Sequence, residues 1–273
     1  MKFISYAQNF EDVMLWRALQ AVPNGFYIDV GAWSPDIESV TRAFYHRNWC
    51  GINIEPSPLW HAQLVQRRPR DINLGVALSD QPGEVEMFVV GNTGRLSTAD
   101  KEFANLHAKT GMAVLTEKRQ CLTLDLVWDE YVKDRVVQFL KIDVEGFERL
   151  VLLGNDWSRH RPWVVLIEST IPNQPIQVYE QWEPILMQAR YKFAYADGLN
   201  RFYVAEEHTE LLDAFALPPN VFDNFVRADL VHAETALVEI KKQLEQERTL
   251  RTKTEARLAE LEVLLATGST RQS

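Results

Sequence analysis

Apolar residues along this chain fall in short unbroken runs, most of them ending in an acid. Phe26, Tyr27, Ile28 and Val30 form one run, Ile52 and Ile54 belong to a second, and Ile72 to Leu78 is a third. Val136 to Val144 is the longest, and Trp163 to Ile167 follows. Aromatic and β-branched runs of this length, without polar alternation, are what strands buried on both faces of a parallel sheet require. Helix-period segments separate them: Ser5 to Leu19, Ile37 to Arg47, Leu59 to Arg68, Phe147 to Leu153 and Ile176 to Arg190. The last carries Pro184, which is expected to kink it. Alternation of strand and helix predicts a doubly wound α/β fold, with right-handed crossovers and ligands at the carboxyl ends of the strands.

Two regions depart from the alternation. Between the third and fourth runs, Glu84 to Val90 reads as a strand, residues 91–96 as a loop, Glu102 to Lys109 as a helix, and Leu124 to Val132 as another helix capped by Thr123. Near the far end, Tyr191 to Tyr195 and Phe202 to Ala205 flank an Asp197-Gly198 turn, the pattern of an antiparallel hairpin. After Phe225 the composition changes, and residues 229–266 contain neither proline nor glycine. Leu230, Leu237, Leu244, Leu258 and Leu265 stand at heptad spacing, with Ala233, Ile240 and Leu261 at the partner position and Glu247, Arg251 and Thr254 interrupting the seam. The organisation predicted is a domain over 1–228, a coiled-coil helix over 229–266 that recruits a second copy or another protein, and a disordered tail over 267–273.

The acids at the ends of the runs carry the candidate chemistry. In GFYIDVGAWSPD, residues 25–36, Gly31 closes a strand while Ser34 and Pro35 suit a helix start, so turn amides are expected to receive a ligand's polar groups. Asp29 would repel a pyrophosphate and attract an ammonium or sulfonium, unless it is simply solvated. The G-x-G-x-x-G fingerprint is absent, because Ala32 and Trp33 follow Gly31. One strand later Glu55 stands where an acid in a βαβ unit accepts both ribose hydroxyls of a nucleoside. The run from Val136 ends in Asp143, Glu145, Gly146 and Glu148, whose carboxylates can bind a divalent ion, position a hydroxyl or cap the next helix. Glu168 ends the following run, and adjacent strands would set Asp143 and Glu168 across one crevice as a pair of hard oxygen ligands.

Bulk properties narrow the partners. A net charge of -9 and a pI near 5.3 argue against nucleic acid as substrate. Cys50 and Cys121 lie in apolar runs without paired spacing, which suits buried thiols in a reducing compartment. No apolar stretch is long enough to span a membrane, and the first ten residues lack a signal-peptide core, so a cytoplasmic protein is expected.

Taken together and in this order, SYAQNFEDVML, DVGAWSPD, INIEPSP, GVALSD and FLKIDVEGFE closely resemble the FkbM family of S-adenosylmethionine-dependent methyltransferases, from about Ser5 to about Phe225. The resemblance implies a Rossmann-like class I methyltransferase sheet closed by an antiparallel hairpin. It implies S-adenosyl-L-methionine held near Gln8, Asp29, Gly31, Ala32, Glu55, Ser79 and Asp80, with Ser79 and Asp80 beside the base. It also implies methylation of a sugar, glycan or other hydroxylated small molecule, for which Asp143 is the candidate base, Glu145 its neighbour, and Asp143 with Glu168 the candidate Mg2+ ligands. Gln8, Glu11 and Asp12 read equally well as helix-dipole partners at an exposed first turn, and Asp80 as the start of a Asp-Gln-Pro-Gly turn. Two rivals remain at this stage: a nicotinamide-dependent oxidoreductase, which the missing glycines disfavour, and a scaffolding domain that binds a nucleoside without catalysis.

Overall fold

Seven strands make up the central sheet of the protein in this computed structural model, which describes residues 2–91 and 94–269. In chain order the strands are β1 (Phe3–Ser5), β2 (Phe26–Val30), β3 (Cys50–Ile54), β4 (Ile72–Leu74), β5 (Ala77–Leu78), β6 (Gly83–Val90), β7 (Val114–Leu122), β8 (Phe139–Ile142), β9 (Val164–Glu168), β10 (Tyr191–Ala196), β11 (Asn200–Ala205) and β12 (Phe225–Arg227). The α-helices are α1 (Glu11–Leu19), α2 (Arg42–Tyr45), α3 (Pro58–Arg67), α4 (Lys101–Lys109), α5 (Leu124–Val127), α6 (Glu148–Leu153), α7 (Glu183–Gln188) and α8 (Ala228–Ser269). Central-sheet order is β10-β11-β9-β8-β2-β3-β4, with β9, β8, β2, β3 and β4 mutually parallel and the β10–β11 hairpin antiparallel at one edge. The reversal of strand order between β2 and β8 sets the carboxyl ends of those two strands side by side, the place where such sheets bind ligands.

Burial explains why these runs are strands. Every residue of β2 and β8 is buried, and Ile28, Leu140, Ile142, Val165 and Ile167 join one apolar cluster while Tyr27, Phe139, Val164 and Leu166 join the cluster on the opposite face. Thr123 caps α5 through its Oγ1, which accepts from the Leu126 amide at 3.2 Å.

Several expected elements are altered, each for a local reason. The helix expected over Ile37 to Arg47 shrinks to the single turn α2. Trp33 and Glu38 adopt positive φ of 43° and 54°, which no helix accepts. Ser34 closes a tight turn by accepting from the Asp36 and Ile37 amides, and the fully buried Arg68 clamps the loop by donating to the Pro35 carbonyl and Ser39 Oγ, both at 2.9 Å. The third run divides between sheets: β4 stays in the central one, whereas β5 pairs with β7 in a three-stranded sheet of order β5-β7-β6. Strand β7 pairs with β6 from Gly83 to Val90 and was masked in the sequence by Glu117, Lys118 and Arg119. Pro184 lies in the first turn of α7, where its missing amide is no loss, so it starts the helix and does not kink it.

The chain divides into two compact units, Met1–Phe225 and Val226–Ser273. In the second, α8 runs 42 residues, about 63 Å at 1.5 Å per residue. Residues 267–269, expected in a disordered tail, belong to this helix, and 270–273 lie outside the described residues.

Candidate active site

Beyond the carboxyl ends of β2, β3, β8 and β9 opens a cavity of about 680 Å³, lined by Gln8, Gly31, Ala32, Glu55, Lys141, Asp143, Glu145 and Glu168 among others. That volume falls within the range of small-molecule sites, roughly 300–1,000 Å³.

Its floor is set by the contact of β2 with β8. Gly31 has φ +76°, and a Cβ there would lie 1.7 Å from the Asp143 carbonyl oxygen, so only glycine lets the two strand ends meet. The amides of Gly31 and Ala32 both donate to the Ile54 carbonyl, at 3.0 and 3.2 Å. They are therefore occupied within the protein, which corrects the expectation that turn amides here receive a ligand. Glu55, at the end of β3, accepts from the Trp33 amide with Oε2 and from the Ser57 amide with Oε1, both at 2.8 Å. Each of its oxygens retains a second lone pair.

Burial pushes the Glu55 carboxyl up to about 7, against the pull of those two amides. The folded value stands above the unfolded one near 4.5, so its contribution to stability is complete below pH 4.5 and fades as pH rises through 7. At roughly 1.4 kcal/mol per unit, Glu55 accounts for a loss of roughly 3 kcal/mol between pH 4 and pH 8. Urea denaturation across that interval is expected to show this slope flattened in Glu55→Gln, which cannot titrate. Parallel pH profiles for the two proteins would contradict the assignment.

At the centre of the wall stands Lys141, whose side chain is 9% exposed. Its Nζ lies 3.3 Å from Asp29 Oδ1 and 3.2 Å from Asp143 Oδ2, and donates to the Gly31 carbonyl at 3.1 Å. The contact with Asp29 Oδ1 is an ion pair without hydrogen-bond geometry. Burial opposes the ammonium, yet the two carboxylates hold it charged well above the ordinary lysine value. Thr41 Oγ1 donates to the other oxygen of Asp29 at 3.1 Å.

Three carboxylates converge beside this lysine. One ligand oxygen from each of Asp143, Glu145 and Glu168 lies within 4.8 Å of the other two, the one such acidic or metal-ligating group among the described residues. Burial, and then the negative charge of Asp143, holds Glu145 and Glu168 well above the usual carboxylate range. Glu145 sits at φ +53°, its carbonyl anchored by Thr98 Oγ1 at 2.6 Å, and its buried Oε2 has no hydrogen-bond partner. Glu148 is not among the cavity's lining residues: its Oε1 accepts from the Val144 and Gly146 amides and ties down the loop, a capping role. Charge at this density needs protons or a cation to balance it.

The Methyltransferase FkbM domain family matches residues 29–195. The chain belongs to that family. No curated protein matches it. Among solved structures it is similar to the methyltransferase FkbM from Methylobacillus flagellatus KT, at 16% identity and a TM-score of 0.42, over 67% of this chain and 44% of that one. The chain thus spans less than half the length of that structure.

Against this FkbM frame the expected site residues separate into two groups. Gly31, Ala32, Glu55, Asp143, Glu145, Glu168 and Gln8 share the cavity wall. Asp29, Ser79 and Asp80 are not among its lining residues. Asp29 is buried in its ion pair with Lys141, so it is neither the free carboxylate expected to meet a sulfonium nor a solvated one. The Ser79 hydroxyl donates to Asp80, and the backbone of Ser79 abuts Gly154, while neighbouring Ala77 and Leu78 supply the apolar lining there. Glu11 and Asp12 are buried, not exposed at a first turn. Asp12 accepts from Ser5 Oγ and the Tyr6 and Ala7 amides, and Glu11 accepts from the Asn9 amide and Asn200 Nδ2, which fastens the segment carrying Gln8 to the domain. Lys141 was the residue overlooked. Its signal was present: a lysine inside the longest buried run must find a partner.

Proposed function

We propose that this FkbM-family protein is an S-adenosyl-L-methionine-dependent O-methyltransferase acting on a hydroxyl of a sugar, glycan or other small molecule. The observation that carries the reading is a single cavity holding Glu55 at the end of β3 and the Lys141–Asp143 pair at the end of β8. The residues present fit the cofactor: Glu55 keeps lone pairs for ribose hydroxyls, and Val76, Ala77 and Leu78 offer an apolar wall for a base. When bound, the cofactor supplies an electrophilic methyl group on a sulfonium.

The chain's own task is to align the acceptor and take its proton. Holding a hydroxyl in line contributes roughly 7–11 kcal/mol, and a positioned base about a hundred- to ten-thousandfold in rate. Asp143 is the base in this reading, oriented by Lys141, while Glu145 and Glu168 hydrogen-bond the acceptor. A second reading rests on the orphaned Glu145 Oε2: the three carboxylates offer hard oxygen donors for Mg2+. No described helix is long and apolar enough to cross a membrane, and with two free cysteines we assign the protein to the cytoplasm.

Isothermal titration with S-adenosylhomocysteine tests the cofactor, and absence of binding overturns the reading. Asp143→Asn is expected to lower kcat at least about a hundredfold while leaving that affinity within a few fold, since a base acts only as charge moves. Equal losses in both would make Asp143 a binding residue. Chelation by EDTA should reproduce the defect only if the metal reading holds.

A further inference from the structure

We propose that α8 pairs antiparallel with α8 of a second copy of this chain, in the register that sets Glu247 of each copy against Arg251 of the other. The proposal is independent of the catalytic reading. Leu230, Leu237, Ile240 and Leu244 line the first half of one helix seam, and Leu258 and Leu261 the second. All six are exposed, from 43% at Leu261 to 60% at Ile240. A helix keeps such a stripe when another helix covers it.

The polar interruption decides what covers it. In a parallel pair each seam residue meets its own counterpart, so Glu247 faces Glu247 and Arg251 faces Arg251, two like-charged layers in mid-helix. Turned antiparallel about Thr249, the same seam sets Glu247 against Arg251 twice, related by the two-fold axis. Outward from the charges, a mixed layer of Leu244 against Thr254 is followed by apolar ones, Ile240 against Leu258 and Leu237 against Leu261. Leu250 of both copies flanks the axis, and Lys241 lies opposite Glu255. Arg248 beside its own counterpart and Glu234 beside Glu262 are the unfavourable pairs, and both lie outside the seam. In the single helix Arg251 binds Glu255 at 2.8 Å, with both side chains more than 60% exposed. Such a pair is weak and can be exchanged for one at a dry seam. Charged layers inside a seam select orientation and register against alternatives of similar apolar burial.

Charge reversal in the full-length protein tests this by sedimentation equilibrium. Glu247→Arg alone, or Arg251→Glu alone, is expected to raise the dimer dissociation constant roughly tenfold or more. The double exchange, Glu247→Arg with Arg251→Glu, should return it to within a few fold of the native value. A parallel pair has two like-charged layers in all four proteins and would show no such cycle. Circular dichroism of each variant checks that α8 remains helical. As a second measurement, mixing Ile240→Cys protein with Leu258→Cys protein under oxidation should yield the mixed cross-linked dimer in preference to either self-linked one. A monomer at every concentration, equal dissociation constants across the cycle, or self-linkage of Ile240→Cys would each overturn the proposal.

Discussion

Lys141→Met is expected to cost about 3–5 kcal/mol of folding stability and to abolish methyl transfer. Methionine keeps the unbranched apolar stem of lysine and lacks the terminal ammonium, so the loss comes mainly from the charge. With the ammonium gone, Asp29 is left 1% exposed with an uncompensated carboxylate, and Asp143 and the Gly31 carbonyl lose the donor that joins them. Breaking a buried pair from one side costs far more than the pair contributes when intact. Combining Lys141→Met with Asp29→Asn should therefore recover part of the stability, because the orphaned charge disappears with its partner. Activity should not return, since Asp143 still lacks its orienting group. Chemical denaturation of the two single variants and the double variant gives the coupling directly. A single variant less than about 1 kcal/mol below wild type would mean that the lysine carries no structural charge pairing.

Gly31→Ala is expected to be at least as damaging, about 4 kcal/mol or more, in the range reserved for large structural defects. Two costs add. The left-handed φ of +76° penalises any side chain by about 1–2 kcal/mol. The added Cβ would also meet the Asp143 carbonyl oxygen at 1.7 Å, and that atom belongs to a backbone held by the Asp143 amide's bond to Val30 at 3.0 Å. Neither strand end can give way without opening the β2–β8 junction. Thermal melting should show the loss of stability. Titration with S-adenosylhomocysteine on whatever folded protein remains should show weakened binding, because Ala32 and Glu55 hang from the same junction. Near-native melting would mean that the strand ends separate freely.

Both effects live at a junction that the chain reaches from residues more than a hundred positions apart, and this marks the limit of reading the sequence. Buried strands were legible wherever a run was apolar from end to end, as in β2, β8 and β9, because burial on both faces leaves composition as the signal. The hairpin and the Thr123 cap were legible because turn and cap chemistry is local. Asp143 and Glu168 could be assigned to one crevice because parallel neighbours bring their strand ends together, and β8 and β9 do pair. The loop over 31–41 was not legible, because its shape is imposed by Arg68, which donates from a different helix end.

The succession of buried strands and the placing of Asp143 and Glu168 at the ends of neighbouring ones were thus determined by sequence alone, since each follows from the chain's local preference and from burial. Which acids face the cavity was decided only by the tertiary structure. Asp29 and Asp143 look alike in the sequence, each an acid at or near a strand end. Lys141 stands between them in space, binding one in the interior and presenting the other at the wall. A charge's role depends on what lies within about 4 Å of it, and no local pattern in the chain encodes that distance.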